Sequence, residues 1–141
     1  MTMKVGMSAC LAGVNCKYNG KNNYDSDLME RFKNDEIILI CPEMEGGLLC
    51  PRIPCEIKEG RVIDANGQDH TQAFEEGALH ALDRIKDCDL LVLQPRSPSC
   101  GVHEIYDGSF TNKRVPGSGI FAQKAKKLKI PLMEASTKKT I

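Results

Sequence analysis

Seven of the 141 residues are cysteine, and three of them share one kind of position. Lys4-Val5-Gly6-Met7-Ser8-Ala9 runs into Cys10, and Glu36-Ile37-Ile38-Leu39-Ile40 runs into Cys41. Asp89-Leu90-Leu91-Val92-Leu93 leads to Cys100 in the turn Ser97-Pro98-Ser99-Cys100-Gly101. Each run is short and apolar, which predicts a buried strand. Pro95, Pro98 and Gly101 forbid both helix continuation and ladder pairing, so the third run must end in a sharp turn with a thiol on it. In an open parallel sheet, ligands bind beyond the carboxyl ends of the strands. Parallel neighbours would therefore bring Cys10, Cys41 and Cys100 to one place, where a shared metal site is the chemistry expected of them.

The remaining thiols are less informative. There is no Cys-x-x-Cys and no paired histidine motif, which argues against a zinc finger or ribbon. Cys50 and Cys55 have the first spacing of a plant-type ferredoxin run, but the cysteine that should follow is missing. Cys16, Cys50 and Cys55 lie in loops and stay open between ligand, reactive thiol and bystander, whereas Cys88 reads as a small core hydrophobe. Glu43, two residues past Cys41, is an ordinary loop acid by itself and a candidate general base beside a metal site. Ser97 and Ser99 either shape the turn or hold a hydroxyl near the site. His70, His80 and His103 show no nucleophile–base spacing. Lys124, Lys126, Lys127 and Lys129 read as a solvated helix face, and without interleaved aromatics they do not suggest a nucleic-acid surface.

The elements that must position these residues follow from periodicity and punctuation. Asp25 or Ser26 caps a helix running to Asn34, with Leu28, Met29 and Phe32 inward. The segment from Pro42 to Pro54 is expected to be an irregular loop. Glu56-Ile57-Lys58 and Arg61-Val62-Ile63 flank Glu59-Gly60 as a hairpin. Thr71 is expected to cap a helix to Lys86 whose buried stripe is Phe74, Ala78, Leu79, Leu82 and Ile85. A small hairpin around Asp107-Gly108 is expected over Glu104 to Thr111. A helix from Ser118-Gly119 to Lys129 follows, with Ile120, Phe121, Ala125 and Leu128 inward, and then an edge strand over Pro131 to Glu134. Alternating strands and helices predict a single α/β domain over residues 1–141: a three-layer sandwich with a mainly parallel sheet, Rossmann-like, residues 136–141 being a polar tail. Formal net charge is zero, so no global field favours nucleic acid. Neither a signal peptide nor an apolar run long enough for a membrane span is visible, so a cytoplasmic protein is expected.

Several motifs together resemble a known family. They are Ser8-Ala9-Cys10-Leu11, Tyr18-Asn19-Gly20, Cys41-Pro42-Glu43-Met44-Glu45-Gly46-Gly47-Leu48, Pro51-Arg52-Ile53-Pro54, Ser97-Pro98-Ser99-Cys100-Gly101 and Gly117-Ser118-Gly119-Ile120-Phe121-Ala122. The chain is similar, from about Met3 to Ala135, to the thiouracil desulfidase family, small bacterial iron–sulfur proteins formerly of unknown function. The resemblance implies a 4Fe–4S cluster held by Cys10, Cys41 and Cys100, a catalytic carboxylate at Glu43 and a catalytic serine at Ser97. Cys50 and Cys55 depart from the family, whose members usually carry small or polar residues there, and either is a candidate cap for an open iron. Longer relatives with an added domain act on thiolated tRNA, and that domain is not expected in these 141 residues.

Three protein thiolates leave one iron of a cubane without a protein ligand, which suits Lewis-acid chemistry better than electron transfer. The activity so implied is non-redox desulfuration of a thiolated pyrimidine base or nucleoside, releasing sulfide and the oxo product. Two alternatives remain at this level. One is a non-catalytic iron–sulfur or sulfur-carrier protein with a fourth cysteine ligand. The other is a zinc or thiol redox protein.

Overall fold

A computed structural model describes residues 2–135, so the polar tail expected over 136–141 lies outside the described residues. The sheet has four strands, β1 (Lys4–Ser8), β2 (Glu36–Ile40), β5 (Leu90–Leu93) and β8 (Leu132–Glu134), in the order β2-β1-β5-β8. Every neighbouring pair is parallel, with Met7 opposite both Leu39 and Val92, and Val92 opposite Met133. The next strand in the chain after β1 lies on one side of it, and β5 lies on the other. The crevice beyond the carboxyl ends of β1 and β5 is therefore the topological switch point at which such sheets bind ligands.

Both faces of the sheet are covered, so its strands are apolar on both sides rather than alternating with polar residues. On one face Val5, Met7 and Val92 pack with Leu28 and Phe32 of α1 (Ser26–Arg31) and the residue that follows it. On the other, Ile40, Leu91 and Leu93 pack with Phe74, Ala78 and Ile85 of α3 (Thr71–Ile85) and Phe121 of α4 (Ile120–Ala125). Asp25 caps α1 as expected, its carboxylate accepting from Leu28 N at 3.1 Å. This is the three-layer α/β sandwich with a parallel sheet.

Two short antiparallel ribbons sit outside the sheet: β3 (Cys55–Lys58) with β4 (Arg61–Asp64), and β6 (Glu104–Tyr106) with β7 (Arg114–Pro116). The first turns through Glu59 and Gly60, both with positive φ, as a two-residue hairpin demands. The second corrects an expectation, because its return strand lies at Arg114–Pro116 and a long turn replaces the tight Asp107-Gly108 one. The stretch after Cys41 is also not wholly irregular, since Pro42–Glu45 forms a helical turn, α2, with proline at its first position, where the missing N–H costs nothing. Thr71 does not cap α3. His70 occupies the cap, while the Thr71 hydroxyl accepts from Val62 N at 2.8 Å and ties the helix to β4. Leu79 and Leu128 were expected inside but are 58% and 39% exposed. Ala81 takes the place of Leu79 in the stripe, and α4 gives way at Ala125 to a tighter turn, Lys126–Leu128, that rotates Leu128 outward.

Candidate active site

The three strand-end cysteines line one cavity of about 740 Å³. Cys10 enters it from a 3-10 turn, Ala9–Ala12, directly after β1. Cys41 is the N-cap of α2 and comes directly after β2. Cys100 sits on the turn after β5, where the Ser97 hydroxyl accepts from the backbone N–H of Ser99 at 3.1 Å and of Cys100 at 3.0 Å. The start of α4 grips the same turn: Ile120 N donates to Pro98 O at 2.8 Å and Ala122 N to Ser99 O at 3.0 Å. Two of the free N–H groups that every helix start presents are thus satisfied by the carbonyls of the site. A side chain on Gly119 would collide with Ser99 O at 2.6 Å, so only glycine allows this approach.

Glu43 faces the cavity from α2 with both carboxylate oxygens engaged. Oε1 accepts from Arg52 Nη2 at 2.7 Å and Nε at 3.1 Å, and Oε2 accepts from Ser99 Oγ at 2.8 Å. Ser99 Oγ stands 2.9 Å from Ser97 Oγ, so a hydroxyl chain leads from the carboxylate to Ser97. Arg52 also donates to the carbonyls of Cys16 and Leu49 at 3.0 and 3.1 Å.

A family model for 2-thiouracil desulfurase matches residues 5–136. The chain belongs to the 2-thiouracil desulfurase family. A relative from Bacillus subtilis (strain 168), the uncharacterized protein YbbK, is 34% identical over 128 residues, 82% of this chain and 85% of that one. Among solved structures, the 4Fe–4S-dependent thiouracil desulfidase TudS superposes with a TM-score of 0.87 at 30% identity, over 94% of this chain and 91% of that one.

Within this family member, the thiols that the sequence leaves open separate. Cys16 is buried and lines the cavity, and its backbone carbonyl accepts from the Cys41 thiol at 3.9 Å. Cys55 also lines the cavity. Cys50 does not, and its thiol instead donates to the carbonyls of Asn15 and Lys17 at 3.0 and 3.2 Å. Cys88 is buried in the core against α3, as expected. Cys16, Cys41, Cys55 and Cys100 are reluctant to ionise. The neighbouring Cys10 thiol and burial push Cys16 up to about 11, and contact with Cys16 and then burial hold Cys41 well above the ordinary thiol range. Burial, and then the nearby Cys41 and Glu43, push Cys100 up to about 12, and burial with the Glu43 and Asp64 charges does the same for Cys55. Such thiols give up their protons to a metal ion rather than to water.

Among the described residues no group of three or more His, Cys, Asp or Glu is arranged to hold a single metal ion. The thiols are spread around a volume instead, and soft thiolates on separate strand ends are the donor set an iron–sulfur cluster takes. The residues present therefore fit such a group. Arg52 is a site residue that the sequence did not single out, whereas Ser99, left open between shaping the turn and holding a hydroxyl near the site, meets the Glu43 carboxylate. Arg52 lies in the motif Pro51-Arg52-Ile53-Pro54, and the signal that marks it is an arginine among prolines near an acid. His80, which shows no nucleophile–base spacing in the sequence, has an acid partner in space, its Nδ1 lying 2.6 Å from Glu45 Oε1. Glu45 is itself no bystander, since its Oε2 accepts from the backbone N–H of Cys41 at 3.0 Å.

Proposed function

We propose that the chain is a desulfidase that converts a thiolated pyrimidine base or nucleoside to its oxo form, with Cys10, Cys41 and Cys100 holding a 4Fe–4S cluster. Family membership supports the activity, and the named cofactor of TudS supports the cluster. The observation that carries the reading is the position of Glu43, a carboxylate clamped by Arg52 and Ser99 in the cavity that those three thiols line. When bound, the cluster supplies a thiophilic Lewis acid that makes a thiocarbonyl carbon electrophilic.

The protein's own groups then have defined tasks. Glu43 takes a proton from the attacking water at Oε2, the oxygen facing Ser99, because Oε1 is taken by two Arg52 donors. Ser99 passes that proton along or returns it, and Ser97, whose hydroxyl anchors the turn, keeps Ser99 in line. This shifts the role inferred for Ser97 from the reacting hydroxyl to the one behind it. The reaction balances as thiocarbonyl plus water giving carbonyl plus hydrogen sulfide, with no electron gained or lost. A carbon–oxygen bond replaces a carbon–sulfur bond, and both protons of water leave with the sulfur.

Anaerobic reconstitution followed by an absorbance screen of 2-thiouracil, 4-thiouracil and their nucleosides tests the reading. Glu43→Gln should retain iron and lose about 10²–10⁴-fold in turnover, the range for a positioned acid or base. Cys100→Ala should lose iron as well as activity. Wild-type turnover by Glu43→Gln with an intact cluster would remove Glu43 from the mechanism.

A further inference from the structure

We infer that Gln94 is the residue that reads the edge of the pyrimidine ring, an inference that rests on the desulfidase reading above. Gln94 follows the last residue of β5 and lines the cavity, half-buried. Its backbone is fixed, with N–H donating to Ser8 Oγ at 3.0 Å. Its carboxamide is not. The Cys10 thiol comes only to 3.9 Å of Oε1, and Nε2 reaches the carbonyl of Pro95 only at 3.5 Å. Neither is a full-strength hydrogen bond. By contrast, Glu43 is held by Arg52 and Ser99, and Asn23 Oδ1 accepts from Lys17 Nζ at 3.0 Å. A half-buried carboxamide with donor and acceptor both under-used is costly unless something entering the cavity pairs with it.

The chemistry of that partner follows from the amide. A thiolated uracil ring presents a ring N–H beside a carbonyl or thiocarbonyl, a donor next to an acceptor in one plane. A primary carboxamide presents the complementary pair, an acceptor next to a donor. Glutamine meets nucleobase edges in this bidentate way. The approach of Cys10 Sγ to Oε1 places the amide beside one of the inferred cluster ligands, so a ring paired with Gln94 lies within reach of the thiol-lined end of the cavity. A few such polar groups in an otherwise apolar pocket are what orient a small ligand.

The test uses the reconstituted protein and uracil, which has the same N–H and carbonyl edge but no sulfur. Calorimetric titration should show uracil binding weakened about 10–100-fold in Gln94→Leu, the worth of two lost hydrogen bonds, with the cluster absorbance unchanged. Gln94→Glu, which keeps an acceptor and loses the donor, should fall between. 1,3-Dimethyluracil, both of whose ring N–H groups are blocked, should bind the wild type as weakly as uracil binds Gln94→Leu. That arm needs no variant to fold. Equal binding of uracil and 1,3-dimethyluracil by the wild type overturns the inference, as does wild-type uracil affinity in Gln94→Leu. A protein that binds uracil through Gln94 but turns over no thiopyrimidine would overturn the desulfidase reading and leave this one standing. Turnover of thiouracil with unchanged uracil binding in Gln94→Leu would do the reverse.

Discussion

At the scale of single residues, the charge pair Glu43–Arg52 sets what the site can do. The side chains are 13% and 10% exposed, and the 2.7 Å contact between them is supported by a second Arg52 donor to the same oxygen. Arginine suits this place because its rigid fork serves Glu43 and the Cys16 and Leu49 carbonyls at once, which a lysine ammonium cannot do in that geometry. Arg52→Gln leaves the Glu43 carboxylate desolvated and without its cation. The expected cost is about 3 kcal/mol of stability, the range for breaking one side of a buried pair, and about 10²-fold in kcat with little change in KM, because the proposed base is misplaced rather than the substrate. Denaturant melts and steady-state kinetics check both numbers. Arg52→Lys should recover part of the stability and little of kcat, and full recovery of kcat by lysine would mean that charge alone matters.

At the scale of elements, the site depends on how closely α2 can approach α3. A Cβ on Gly77 would fall on the carbonyl of Pro42, and one on Gly46 would fall on the carbonyl of Ala73. Two glycines therefore let backbone meet backbone, and this contact sets where Cys41 and Glu43 stand. Gly77→Ala separates two effects of opposite sign. Helix propensity alone predicts a gain of about 1 kcal/mol, whereas the clash predicts a loss. The expected result is a lower melting temperature together with fewer irons per chain after reconstitution. A stabilised protein with full iron would show that α2 can shift freely. The β4–α3 junction offers a pH test. Asp64 accepts from His70 Nε2 and from the N–H groups of Asn66 and Gln68. The His70 contact and then those backbone donors hold its carboxyl below the ordinary 3.8. A depressed folded value stabilises the protein above pH 3.8, and that contribution is lost as pH falls through the folded value. Wild type and Asp64→Asn should therefore differ in melting temperature at pH 7, with the gap shrinking below about pH 4.

At the scale of the whole molecule, stability and chemistry sit in different places. The apolar clusters lie on the two faces of the sheet, with Phe74 and Phe121 on one and Phe32 on the other. The candidate site occupies the crevice beyond the strand ends, built from turns that the helices hold. Iron removed anaerobically by a chelator should thus lower the melting temperature, since a ligand that binds only the folded state stabilises it by mass action. The far-UV circular dichroism should stay close to that of the loaded protein. Loss of secondary structure on chelation would mean that the cluster, rather than the sheet faces, holds the fold. No helix among the described residues is long and apolar enough to cross a membrane.

Much of this was legible in one dimension because the signals are local. Lys4–Ser8, Glu36–Ile40 and Leu90–Leu93 are apolar on both faces, which only a sheet covered on both sides requires. Each run is followed by a turn carrying a thiol, and that local pattern is enough to put Cys10, Cys41 and Cys100 at strand ends. The hairpin at Glu59-Gly60 and the cap at Asp25 were equally plain, because their chemistry lies within four residues. What tertiary structure alone decided depends on distance along the chain. The strand order that makes β1 the neighbour of both β2 and β5 is a long-range pairing. Cys16 rather than Cys50 entered the thiol group because the chain folds back at Asn15–Lys17 and takes the Cys50 thiol on its carbonyls. Ser99 rather than Ser97 met the carboxylate because α2 brings Glu43 across 56 residues of sequence to the turn after β5. Local pattern places side chains on a strand or in a turn, but which of two neighbouring hydroxyls touches a distant acid is set by the packing between elements.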